Sequence, residues 1–125
     1  MDEDVEVARK NYIEKAESIV KSIDTFENAE IFHGVVNNTI AFNKDGLIFI
    51  TTYGKSKLLQ AEDIKNVKFG VPKKNDFPLL FYCILNTKDK DMPEIKFLLT
   101  TGEGTSEEAA NLYYEIESRI KAIKK

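Results

Sequence analysis

The stretch IAFNKDGLIFITTYGKSKLLQAEDIKNVKFG, residues 40–70, decides the fold. It reads as short strands hinged at Asp45-Gly46 and Tyr53-Gly54 and closed by the acidic bend of AEDIKNV. Asp-Gly and similar pairs tolerate the left-handed backbone angles of tight hairpins. The pattern points to a small antiparallel sheet protein, not to a nucleotide-binding or metal-binding fold. No catalytic constellation lies within it.

Outward from this stretch the strand pattern continues. The sequence predicts strands at 30–36, 39–43, 47–52, 56–60, 64–69, 79–86 and 94–101. Asn37-Asn38, Gly54 and Gly70 supply turn chemistry between them. VPKKNDFP, residues 71–78, is the longest break, and TKDKDMP, residues 87–93, reads as a charged hairpin loop. Several strands are apolar without alternation: Leu47-Ile48-Phe49-Ile50, residues 79–85, and Phe97-Leu98-Leu99. A half-solvated antiparallel strand alternates apolar and polar residues. Continuous runs therefore imply that something covers both faces.

Helices flank the strands. In residues 3–23, Val5, Ala8, Tyr12, Ala16, Ile19 and Ile23 recur at three- and four-residue steps, with Ile13 and Val20 widening the stripe. The acidic start Asp2-Glu3-Asp4 suits the positive end of a helix dipole. Near the other terminus, Thr105-Ser106-Glu107-Glu108 reads as a capping box with Thr105 as N-cap, and Gly102 and Gly104 form a joint before it. The helix behind it aligns Ala109, Leu112, Tyr113, Ile116, Ile120 and Ile123. One side of the sheet is expected to face this C-terminal helix. The other is expected to face the N-terminal helix or a second chain.

At 125 residues the chain has the size of one domain and buries roughly two thirds of its unfolded surface. The net charge of −3 is unevenly spread. Residues 1–30 hold nine acidic and four basic side chains, a balance of −5; residues 31–101 hold seven and ten, or +3; residues 102–125 hold five and four, or −1. This is too little positive charge for a general nucleic-acid binder. The single cysteine, Cys83, precludes an internal disulfide. The acidic first ten residues lack the apolar centre of a signal peptide, and no apolar run is long enough for a membrane helix. The expectation is a soluble cytoplasmic protein.

Seven short strands closed by a C-terminal helix resemble the pleckstrin-homology-like (PH-like) superfamily, in its GRAM and bacterial PH-like branch. Thr39-Ile40-Ala41-Phe42 followed by Asp45-Gly46-Leu47-Ile48-Phe49 resembles that branch's strand, turn and strand. Residues 58–67, LLQAEDIKNV, resemble its acidic bend before an isoleucine-x-x-valine strand. The resemblance covers roughly residues 28–124. It implies an α+β fold: a PH-like curved antiparallel sheet or barrel of about seven strands capped by the C-terminal helix. The organisation becomes an extra amphipathic helix in residues 1–27 and a PH-like domain in residues 28–125. It also implies binding of lipid headgroups, peptides or partner proteins. Headgroup-binding members carry basic residues on the first strand pair and its loop. Here that loop, Val36-Asn37-Asn38-Thr39, has none.

Candidate chemistry is sparse. His33, between Phe32 and Gly34, is the only histidine, with no carboxylate at ligand-like spacing nearby; it reads as a strand residue. Cys83 sits among large apolar residues, where a thiolate is disfavoured, and reads as core. A Cys83–His33 dyad across strands has no local support. Asp89, Asp91 and Glu94 lack the glycine and closing ligand of a calcium loop. Gly102-Glu103-Gly104 lacks the lysine and hydroxyl of a phosphate cradle. No catalytic, metal or cofactor site is expected. Lys55 and Lys57 beside one turn, with Lys73, Lys74 and Phe77 in the long loop, are the candidates for contact with an anion or membrane. Tyr12, Ile19 and Ile23 are the candidates for contact with a protein partner. The leading expectation is a non-enzymatic binding module that engages a protein partner or forms a homo-oligomer. Peripheral binding to anionic membrane lipid is the alternative, and a small hydrolase using His33 is the least favoured.

Overall fold

The computed structural model describes residues 2–71, 80–100 and 106–125. Helix α1, Asp2–Lys21, runs without an internal glycine or proline. A 3-10 turn at Asp24–Phe26 follows and buries Phe26. Seven strands come next: β1 Glu30–His33, β2 Thr39–Phe42, β3 Gly46–Ile50, β4 Ser56–Gln60, β5 Ile64–Gly70, β6 Phe81–Thr87 and β7 Glu94–Thr100. Helix α2, Ser106–Ile123, is last. The fold is α+β, in the expected order of helix, strands and helix. The expected N-cap Thr105 and the joint residues Gly102 and Gly104 lie outside the described residues.

The strands form two antiparallel sheets, β1-β2-β3-β4 and β5-β6-β7, not one continuous curved sheet. No ladder joins β4 to β5, so the described strands do not close into a barrel. The cause is local. Asp63 Oδ2 accepts the Gln60 backbone N–H at 3.0 Å, and a 3-10 turn at Ala61–Asp63 carries the chain away from the β4 edge.

The main core lies between the sheets and α2. Ile40, Leu47 and Leu59 of the first sheet meet Leu85, Ile95 and Phe97 of the second, with Ile116 and Ile120 of α2. The reverse face of the first sheet presents Ala41, Ile48 and Ile50, which pack with Tyr12, Ala16 and Val20 of α1 and with Phe26. All five residues of β3 are therefore buried. Each fully buried isoleucine contributes about 1.5–3 kcal/mol relative to exposure. Ala16 and Ala41, both small and buried, suit a close approach of helix to sheet.

The second sheet differs. Along β6, Cys83, Leu85 and Thr87 are buried, while Tyr82, Ile84 and Asn86 are half-buried. The expectation of two covered faces for residues 79–85 is thus corrected. Position 79 lies outside the described residues, Leu80 and Phe81 are half-buried, and burial alternates from Tyr82 on. Ile84 stands in cross-strand register between Lys68 and Lys96, and Lys96 Nζ lies 5.9 Å from the centre of the Tyr82 ring. Lysine stems at such positions screen apolar surface while the ammonium stays wet.

Helix α2 is tied to the strands near its C-terminal end. Arg119 Nε donates to Glu30 Oε2 at 2.8 Å, and Lys124 Nζ donates to the Ile64 carbonyl at 2.5 Å. Among the described residues, no helix is long and apolar enough to cross a membrane.

Candidate functional site

The site is built where α1 extends past the first sheet. From Tyr12 to Val20 the helix is seated: Tyr12 is 8% exposed, and Ala16 and Val20 are buried. The same stripe continues to Val5 and Ala8, both of which are exposed. Val5 is 69% exposed. Below this overhang sits the β1–β2 loop with Val35 and Val36, each 46% exposed. The sequence extends the first strand through these valines. The chain turns at Gly34 instead, whose N–H donates to the Asn38 carbonyl at 2.7 Å. A Cβ on Gly34 would meet Asn38 Oδ1 at 2.2 Å and the Leu98 carbonyl oxygen at 3.1 Å, so any other residue there must displace the Asn38 side chain.

Arg9 fixes the overhang to this loop. Its guanidinium donates to Asn37 Oδ1 at 2.9 Å and to the Gly34 carbonyl at 2.6 Å. Val5, Ala8, Val35 and Val36 then line an open groove of about 540 Å³, with Glu6 and Arg9 on its rim. A second cleft, of about 250 Å³, opens between α1 and the β3–β4 turn. Ala8, Ala16 and Ile50 line it together with Asn11, Lys15, Asn37, Thr52 and Tyr53. The turn is formed by the Thr51 N–H donating to the Lys55 carbonyl and by Gly54 at φ +82°. The Lys15 side chain lies against Gly54; a Cβ there would come within 2.9 Å of Nζ. Tyr53, at the tip, is 87% exposed.

A polar chain anchors the seated half of α1. Glu17 Oε2 lies 3.5 Å from His33 Nε2, and His33 Nδ1 lies 2.9 Å from Thr39 Oγ1. Thr39 Oγ1 is 3.0 Å from the Tyr12 hydroxyl, which donates to the Ile50 carbonyl at 3.1 Å. Burial pushes the Tyr12 phenol up, and the hydrogen bond from Thr39 and the charge of Arg9 oppose that rise. The order carboxylate, imidazole, hydroxyl is that of a nucleophile with its base. Here the hydroxyl is on Thr39, which is wholly buried and bonded to Tyr12. The chain serves as a latch between helix and sheet. The sequence hides it because Glu17 is sixteen residues from His33 and meets it only after α1 docks.

The other sequence candidates sit apart. Cys83 is buried in the main core, where desolvation and then the Glu117 charge push its thiol up to about 12. It is not brought to His33, which faces α1. Lys57 Nζ pairs with Asp89 Oδ2 at 2.5 Å, and Asp89 Oδ1 also accepts the backbone N–H groups of Asp91 and Met92. Lys55 is exposed beside Tyr53. Lys73, Lys74 and Phe77 lie outside the described residues. Tyr12, Ile19 and Ile23 pack against the chain's own first sheet. Among the described residues, no group of three His, Cys, Asp or Glu side chains could hold a metal ion.

Comparison with protein-family models, curated proteins and solved structures finds no match to this chain.

Proposed function

We propose that this chain is a non-enzymatic PH-like binding module that engages a protein partner, or a second copy of itself, through the overhang of α1 and the β1–β2 loop. Seven antiparallel strands followed by a C-terminal helix are the element order that the PH-like reading calls for, and that order supports the reading, although the strands divide into two sheets and close no barrel. The observation that carries the function is the exposed cluster of Val5, Val35 and Val36 around one groove. Contiguous apolar surface on a folded chain marks an interaction site more often than isolated apolar residues do. Arg9 holds the groove in shape, which lowers the ordering cost of binding.

Photo-crosslinking tests this. A photoreactive residue at position 36 yields a discrete protein adduct or a self-dimer, and the adduct disappears in Val5→Asp. The same residue at exposed Tyr114 on α2 yields no such adduct. A chain that stays monomeric in light scattering and gives equal smears from both positions would refute the proposal.

One observation favours a second reading, contact with anionic lipid: exposed Tyr53 beside exposed Lys55. Pairing with Asp89 takes Lys57 out of the set that was to make that contact. The test is salt-sensitive co-sedimentation with phosphatidylserine vesicles that is lost in Lys55→Glu. No sedimentation at low salt excludes it.

A further inference from the structure

The groove beside Val35 and Val36 and the cleft beside Lys15 share Ala8 and Asn37, so they form one continuous surface. Their chemistry differs. The groove is walled by valines. The cleft has an apolar floor of Ala16 and Ile50 under a polar rim. Among the described residues, Lys15 is the only charged side chain that lines the cleft. Among the described residues no carboxylate pairs with its ammonium. Residues 1–30 carry nine acidic side chains, yet among the described residues no carboxylate lines this cleft. Asn37 Oδ1 already accepts from Arg9, which leaves the Asn37 amide nitrogen to donate elsewhere.

Donors and one positive charge above an apolar floor select an anion carried on an apolar body. Among the described residues that line the groove and the cleft, Arg9 is the other cation, and it is held by Asn37 and Gly34. A dianionic phosphate would therefore meet one ammonium only, and a carboxylate suits the site better. Val5 and Lys15 are ten residues apart on α1, roughly 15 Å along its axis. That is the reach of about four to five residues of extended chain.

Resting on the protein-binding reading above, we infer that the partner offers an extended segment of this length, apolar in the groove and carrying a carboxylate at Lys15. A chain terminus and an Asp or Glu side chain present the same group there.

The test titrates the isotope-labelled full chain with three acetylated peptides, followed by NMR: Leu-Val-Ala-Ile-Val as the free acid, the same peptide as its amide, and Leu-Val-Ala-Ile-Asp as its amide. The free acid is expected to shift the amides of Ala8, Lys15, Asn37 and Gly54 and to bind at least tenfold more tightly than its own amide. Lys15→Gln, a change at an exposed position, removes that tenfold preference. Binding of the Asp peptide as tight as the free acid identifies any carboxylate as the ligand. Its failure, with the free acid bound, identifies the chain terminus. Either result supports the inference. Equal binding of all three peptides, no shift at these four amides, or an unchanged preference in Lys15→Gln overturns it. A position-36 adduct that survives Lys15→Gln leaves the protein-binding reading standing while the carboxylate falls.

Discussion

The two sheets meet water differently, although their strands look alike in sequence. Leu47-Ile48-Phe49-Ile50 and Phe81-Tyr82-Cys83-Ile84-Leu85 are both unbroken apolar runs. The first is buried on both faces because α1 lies across Ala41, Ile48 and Ile50. The second is buried on one face, and its outward positions stand among Lys68, Lys96 and Asn66. An apolar run therefore shows that a strand can be covered twice. Whether it is covered depends on the residues beside it in register.

One substitution made in both places breaks this comparison most forcefully. Ile48→Asp places an unpaired carboxylate under α1 and is expected to cost at least about 4 kcal/mol, enough to unfold a marginal domain. Ile84→Asp, between two lysines, is expected to stay within about 1 kcal/mol. Urea denaturation of the two variants checks both. Equal losses would mean that the outer faces are not distinct.

Tyr12→Phe sharpens the picture by removing one hydroxyl from the latch. The expected cost is about 1–2 kcal/mol, because Thr39 and the Ile50 carbonyl lose a buried partner. A thermal melt measures it, and no change would mean that the latch adds nothing.

The third prediction concerns alkaline pH and the main core. The Cys83 thiol is raised in the folded state, so its contribution is full below the unfolded thiol range. It is lost as pH climbs from there toward about 12. Burial, followed by the hydrogen bond to Glu117, raises the Tyr113 phenol too, with the same sign. Stability should therefore decline above roughly pH 9, by up to about 1.4 kcal/mol per pH unit for each titrating group. Cys83→Val should flatten part of that decline in urea titrations at successive pH values. An identical alkaline limb in the variant would contradict this.

The smallest effect is expected at the surface pair. Its hydrogen bond with Lys57 holds the Asp89 carboxyl below its ordinary range. The stabilisation is thus present above the usual carboxylate range and fades as pH falls through the lowered value. Lys57→Gln should leave the neutral-pH melt nearly unchanged and make the acid limb less steep. A large loss at neutral pH would show that this pair does more than join the β4 edge to the loop between β6 and β7.

Much of the fold is legible in local pattern. Strand starts at Glu30, Thr39, Ser56, Ile64 and Glu94 follow from turn residues and apolar runs. The need for cover on β3 follows from Leu47-Ile48-Phe49-Ile50. The split into two sheets is not legible, because the residues at Gln60–Asp63 can close a hairpin or leave the sheet. The outcome depends on which backbone group Asp63 reaches. The candidate site is less legible still. Val5 and Ala8 continue the stripe of Tyr12 and Ala16, and only the docked position of α1 shows that they stay exposed. Val35 and Val36 look like strand residues until Gly34 turns the chain. Lys15 stands out only once the described residues that line its cleft are seen to include no carboxylate.

The central claim is that α1 covers the first sheet within its own chain. The most direct measurement is a methyl NOE experiment on a mixture of labelled and unlabelled chains, filtered to separate contacts within a chain from contacts between chains. The account predicts Ala16–Ala41 and Val20–Ile48 cross-peaks in the intrachain spectrum and none between chains. Cross-peaks found only between chains, or in neither spectrum, would contradict it.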